Sequence, residues 1–159
     1  MSGRLSFVLG MHGACAAYDT ACSAGLVASH AALRALRGGE CTPALSSGIN
    51  VMLTPALSLS FAVAGMTSAR GRSHTFDERA DGYARGEACG GVALRSRLDD
   101  GTVLALCGSA VRQDGRSASL TAPNGVAQQG LLKAAPLGDR ACRIGLLCVR
   151  VRSRRCRLV

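Results

Sequence analysis

The chain has 159 residues and a formal net charge of +9, from 19 Lys and Arg against 10 Asp and Glu. Seven Arg and no acid lie in residues 140–159, so residues 1–139 carry 12 basic and 10 acidic residues, a net of only +2. A basic surface running through the chain for nucleic acid is therefore excluded, and 3% aromatic residues with no Trp exclude a base-stacking platform.

Hydrophobic residues make up 48%, enough for a buried core and too many for disorder. No stretch approaches the ~20 apolar residues that span a bilayer, so no membrane partner is expected. The N-terminal MSGRLSFVLGMHG has an apolar run too short for a signal peptide. The expected compartment is the cytoplasm, with a plastid left open. Eight cysteines stand at 15, 22, 41, 89, 107, 142, 148 and 156. No CxxC occurs, and no Cys/His cluster has zinc-ligand spacing, so no metal is expected. Most of these cysteines lie in apolar or Gly-rich contexts, which predicts buried, reduced thiols rather than a disulfide framework.

The elements follow in chain order. Residues 4–9 read as the end of a helix closed by Gly10 and Gly13. Residues 14–20 are small and apolar, the pattern of a buried strand. Residues 24–36 place apolar side chains at 26, 27, 32, 33 and 36, a helical period that Gly38-Gly39 ends. Residues 45–53 read as a strand. Pro55 suits the first turn of a helix reaching about residue 64. Residues 67–85 are polar and Gly-punctuated, hence loop. Residues 90–95 and 103–111 read as strands, and residues 126–135 as an amphipathic helix after an Ala-Pro-Asn-Gly turn. Alternating strands and helices predict α/β layering. Residues 136–159 show no clean periodicity.

One segment carries chemistry: Tyr-Asp-Thr-Ala-Cys-Ser-Ala-Gly at 18–25. Cys22 falls between a predicted strand and a predicted helix, the setting of a nucleophile elbow. A helix N-terminus aims unpaired N–H groups at such a side chain, and their dipoles favour a thiolate. Ala21, Ser23, Ala24 and Gly25 are small enough to let a substrate approach the sulfur. A cysteine taken alone is more often a core residue. From placement alone, both readings of Cys22 stay open.

The motif Asp19-Thr-Ala-Cys22-Ser resembles the active-site signature of β-ketoacyl synthases, specifically the ketosynthase domains of type I modular polyketide synthases. The resemblance continues in order. It runs through Leu36-Arg-Gly-Gly-Glu-Cys41, Gly48-Ile-Asn-Val-Met-Leu-Thr-Pro55, Gly65-Met66, Gly71-Arg72 and Thr75-Phe-Asp77. Further matches are Ala80-Asp-Gly-Tyr-Ala-Arg-Gly-Glu87, Gly108-Ser-Ala-Val111, Gln113-Asp-Gly-Arg-Ser117 and Leu120-Thr-Ala-Pro-Asn-Gly125.

The resemblance implies an α/β fold, the thiolase-like αβαβα sandwich, present here as an incomplete middle segment. It implies two regions: a partial ketosynthase domain at 1–135 and an Arg/Cys-rich tail at 136–159 that matches nothing in the family. It implies that Cys22 is the nucleophile that accepts an acyl chain, followed by decarboxylative condensation with a malonyl-type extender. Such chemistry belongs to polyketide or fatty acid biosynthesis. No cofactor is bound; the substrates ride on the phosphopantetheine of an acyl carrier protein, which is the expected partner. A complete domain is expected to be a homodimer.

Family members also carry histidines in HGTGT-like and NxGH-like motifs. This chain has only His12, His30 and His74, none in such a motif. His30 lies eight residues beyond Cys22, about 12 Å along a helix and out of hydrogen-bond reach of it. All three are expected to be packing or surface residues. The isolated chain is therefore expected to lack condensation activity, and an inactive fragment, or a chain that only pairs with others, is the alternative. The tail is expected to reflect a shifted reading frame, a mis-spliced exon or a faulty gene model, and the rival reading is a genuine basic tail for anionic partners. Asp19 and Thr20 are expected to hold the elbow, Asp81, Arg85 and Glu87 to form structural ion pairs, and Ala88-Cys89 to strain a position where the family has Gly.

Overall fold

A computed structural model describes residues 2–97, 104–119, 122–135 and 147–151. It divides into two units, Met1–Ser46 with Val92–Val159, and Ser47–Gly91.

In the first unit, helix α1 spans Ser2–Leu9 and is released at Gly10, which takes φ +61°. A 3-10 turn at Ala21–Ser23 leads into helix α2, Ala24–Arg37. The Gly pair ends α2 as expected. Gly39 takes φ +73°, its N–H reaches Leu36 O at 3.2 Å, and Glu40 N reaches Ala35 O at 3.0 Å. Those two bonds satisfy carbonyls that a helix end otherwise leaves open. Leu33 and Leu36, one turn apart on α2, are the buried apolar residues among those described, at 8% and 6% exposure.

Strand β1 spans Pro43–Asn50, β2 Ala88–Arg95 and β3 Leu104–Ser109. Helix α3 spans Pro55–Val63, with Pro55 in its first turn where no N–H is needed. Helix α4 spans Gly125–Ala134, and strand β4 spans Leu147–Val151. β1 neighbours β2 in one two-stranded sheet, and β3 neighbours β4 in another. The β3–β4 pair is antiparallel, from Leu104 opposite Val151 to Ser109 opposite Leu147, with an irregularity between Leu106 and Gly108.

Several expectations need correction. Residues 14–20 form no strand and are exposed throughout. Their small side chains bury little area, and a strand persists only where a neighbour completes its ladder. The tail, expected to hold no element, contributes β4. A ladder is made by backbone N–H and C=O groups, so side-chain periodicity is not required for it. Residues 136–146 and 152–159, with the expected boundary at 135/136, lie outside the described residues. The four thiols that are described are not buried either: Cys15, Cys22 and Cys89 are exposed, Cys41 is half-buried, and all four are free. Ala88 and Cys89 sit inside β2, and neither is among the non-Gly residues with positive φ, which among the described residues are Ala21, His74 and Phe76.

In the second unit, the loop after α3 is fastened by a parallel bridge between Thr67 and Tyr83. Ser68 N donates to Tyr83 O at 3.0 Å, and Tyr83 N to Met66 O at 3.2 Å. The expected ion pairing around 81–87 takes a different form. Asp81 faces Arg70 at 3.9 Å. The Arg85 guanidinium lies 4.8 Å over the Phe61 ring, a cation–π contact. Glu87 Oε1 accepts from Met52 N at 2.7 Å, and Asn50 Nδ2 donates to Gly86 O. Charges alternating along a loop do not reveal their partners, because the loop folds back on more distant residues.

Candidate active site

Cys22 is the middle residue of the 3-10 turn that precedes α2, and its thiol is exposed. Ala21, directly before it, takes φ 53° in the left-handed region. An L-residue costs roughly 1–2 kcal/mol there, and such strain persists only where the surroundings enforce it. The enforcement is visible. Asp19 Oδ1 accepts from Ala21 N at 3.4 Å. Ser23 Oγ donates to Thr20 O at 2.9 Å and lies 2.8 Å from Thr20 Oγ1. Ser23 has one hydroxyl proton, so the Thr20 hydroxyl donates to Ser23. Short polar side chains thus brace the turn from both sides, as expected for Asp19 and Thr20.

Ser23 occupies the N-cap position of α2 but makes no side-chain cap, because its hydroxyl is spent on Thr20. The first N–H groups of α2 therefore have no side-chain acceptor from their cap residue. The Ala24 N–H donates to Ala21 O instead, and it is the macrodipole of α2 that favours an anion at this end.

The three histidines have separate settings. His30 is half-buried on α2 and places Nδ1 2.8 Å from Ser109 Oγ on β3. His12 is exposed in irregular chain, and His74 is half-buried with φ 45°. Among the described residues no group of three or more His, Cys, Asp or Glu is placed to hold a metal ion. Two surface hollows, of about 510 and 660 Å3, lie along residues 113–129 rather than around Cys22.

The Ala-Pro-Asn-Gly turn is held by Asn124. Its Oδ1 accepts from Val126 N and Ala127 N, both at 3.1 Å, which caps α4. Its Nδ2 donates to Asp114 O at 3.2 Å and Arg116 O at 3.1 Å, and its own N–H reaches Asp114 Oδ2 at 3.0 Å. Two features escape a reading of the sequence. The left-handed conformation of Ala21 has no local signal beyond a small residue at the right place. The partner of His30 is 79 positions away and carries none.

Comparison with known proteins shows the family of the chain. The family model for the β-ketoacyl synthase N-terminal domain matches residues 1–100. The chain is 49% identical over 140 residues to one of the phenolphthiocerol/phthiocerol polyketide synthase subunits of Mycobacterium tuberculosis, covering 84% of the chain and 6% of that protein. It is 46% identical over 142 residues to 5-methyl-1-naphthoate synthase of Streptomyces sahachiroi, covering 84% of the chain and 8% of that protein. Among solved structures it superposes on the ketosynthase from module 6 of the Bacillus subtilis bacillaene synthase with TM-score 0.78 and 34% identity. An oxazolomycin ketosynthase domain from Streptomyces albus gives TM-score 0.80 and 34% identity. Each superposition covers 84% of this chain and 25% of the solved one. The chain thus spans less than a tenth of these curated relatives and a quarter of the ketosynthase structures. Its mixed α/β elements are part of a thiolase-like ketosynthase fold, and the chain belongs to the β-ketoacyl synthase family.

Proposed function

We propose that residues 1–135 are the nucleophile-bearing part of a polyketide synthase ketosynthase domain, with residues 136–159 a tail outside it. Cys22 accepts an acyl chain from the phosphopantetheine thioester of an acyl carrier protein in the cytoplasm. The observation that carries this reading is the exposed Cys22 thiol, set between strained Ala21 and the start of α2 that Ser23 leaves without a side-chain cap. The boundary rests on the motifs that resemble the family, which end at Gly125, ahead of the Arg-rich tail.

In the first step the Cys22 thiolate attacks the thioester carbonyl carbon. The carbon–sulfur bond to pantetheine breaks, and the pantetheine sulfur leaves and takes up a proton. Small neighbours at Ala21, Ser23, Ala24 and Gly25 leave room for that approach, and backbone N–H groups at the start of α2 suit the transient oxyanion. A thiolate serves both as nucleophile and as the later leaving group. In the second step a carrier-bound malonyl-type extender loses CO2. The freed electron pair attacks the Cys22 thioester carbonyl, and the Cys22 thiolate leaves. A complete domain, working as a homodimer, carries out this step. The family's histidine motifs are absent here, and His30 is committed to Ser109.

A second reading, a chain that is inactive by itself, is favoured by the exposed apolar side chains of α3. Leu59 and Val63 are 66% and 82% exposed, as suits a piece of a larger core. Incubation with a carrier-bound acyl thioester and intact-mass spectrometry separates the two. One acyl group on the wild type and none on Cys22→Ala supports acceptance at Cys22. No acyl group on either supports the second reading.

A further inference from the structure

Helix α2 is held at two adjacent residues. Ser29 Oγ donates to Gly25 O at 2.9 Å and lies 3.1 Å from Ser46 Oγ on β1. Because the Ser29 proton goes to Gly25, the Ser46 hydroxyl donates to Ser29. Ser46 is 5% exposed, so this bond satisfies a polar group that water scarcely reaches. One residue later, His30 Nδ1 meets Ser109 Oγ on β3 at 2.8 Å. Adjacent residues point about 100° apart around a helix. The two bonds therefore restrain α2 against both rotation about its axis and sliding along it. The apolar contribution to the same task is small, since Leu33 and Leu36 are the buried apolar residues of the helix.

The object being held is the start of α2, where Cys22 sits. His30 is about 12 Å from Cys22 along the helix and does not act on the sulfur directly. We propose that His30 and Ser109 are positioning residues: their bond, with that of Ser29 to Ser46, locks α2 so that the turn carrying Cys22 at its start keeps its place. This rests on the reading of Cys22 as the nucleophile. The imidazole suits the role because its ring is rigid and holds Nδ1 at a fixed distance from the backbone.

The test is the rate of iodoacetamide alkylation of each cysteine in the 159-residue chain, read by peptide mass spectrometry. Loss of one such hydrogen bond is expected to slow Cys22 about 3- to 10-fold in both His30→Ala and Ser109→Ala. The double variant is expected to be no slower than the slower single variant, since both remove the same bond. His30→Asn, whose amide can take the place of Nδ1, is expected to restore the rate to near wild type. Cys15, Cys41 and Cys89 are expected to keep their rates throughout. The proposal is overturned if Cys22 is unaffected, if the single effects multiply, if His30→Asn fails to restore the rate, or if all four cysteines speed up together, which marks general loosening. Acylation by a carrier-bound thioester is followed in parallel. An intact alkylation cycle in a chain that never accepts an acyl group sinks the proposed function and leaves the positioning role standing.

Discussion

The hydroxyls of Thr20 and Ser23 lie 2.8 Å apart across the turn that carries Cys22. That contact closes a loop of four residues over a left-handed Ala21. The turn is thus a strained segment held by side chains rather than by a glycine.

Ala21→Gly removes the Cβ that makes φ 53° costly. Glycine visits this region freely but loses more entropy on folding. The expected net result is a gain of about 1 kcal/mol, against the roughly 1–2 kcal/mol cost of left-handed alanine. A rise in the urea midpoint at unchanged slope checks it. A fall shows that the turn is not strained.

Asn124→Ala removes both caps of α4 and both donations to the Asp114 and Arg116 carbonyls. Loss of the cap alone costs about 1 kcal/mol, and up to about 2 where geometry is favourable. Hydrogen exchange at Val126 and Ala127 is expected to accelerate, while exchange in α2 stays unchanged. Asn124→Asp keeps the acceptor and is expected to preserve most of the protection.

Gly82 takes φ +137°, and a Cβ built there stands 2.5 Å from Ser68 N and Thr67 C. Both are backbone atoms, so nothing can swing aside. Gly82→Ala is expected to break the Thr67–Tyr83 bridge and to cost about 2–4 kcal/mol, the range of strain and overpacking at a special backbone position. Loss of slow exchange at Ser68 and Tyr83 N–H is the measurement.

Among the described residues Asp77 and Cys15 titrate low, and Arg79, bonded to Asp77, titrates high. The Arg79 side chain, then its backbone N–H, holds the Asp77 carboxyl below the usual carboxylate range. A depressed folded-state value means the stabilisation is complete above the unfolded value of about 3.9 and is lost as pH falls through the folded value. The Ser2 hydroxyl, then that of Ser6, holds the Cys15 thiol below its usual value in the same sense. Carbon NMR titration is expected to place the Asp77 midpoint low and to return it upward in Arg79→Gln. Alkylation of Cys15 is expected to begin at higher pH in Ser2→Ala than in the wild type.

The elements that were legible share a short range. The helical period of residues 24–36, the Gly38-Gly39 stop, Pro55 and the Asn124 cap each act within about one helical turn. The chain therefore settles them wherever the rest of it lies. The candidate nucleophile was legible for a different reason: Asp19-Thr-Ala-Cys22-Ser is a contiguous motif. Residues 14–20 misled because small apolar residues suit a strand only when a neighbouring strand completes the ladder.

The sequence by itself therefore determined the helix boundaries, the family and the placement of Cys22 at a helix start. Only the tertiary structure decided that His30 answers Ser109, that Asp81 turns to Arg70 rather than Arg85, and that β3 pairs with β4 from the Arg-rich tail. Those partners lie 11 or more positions apart. Their meeting depends on how the intervening chain folds, which no local pattern encodes.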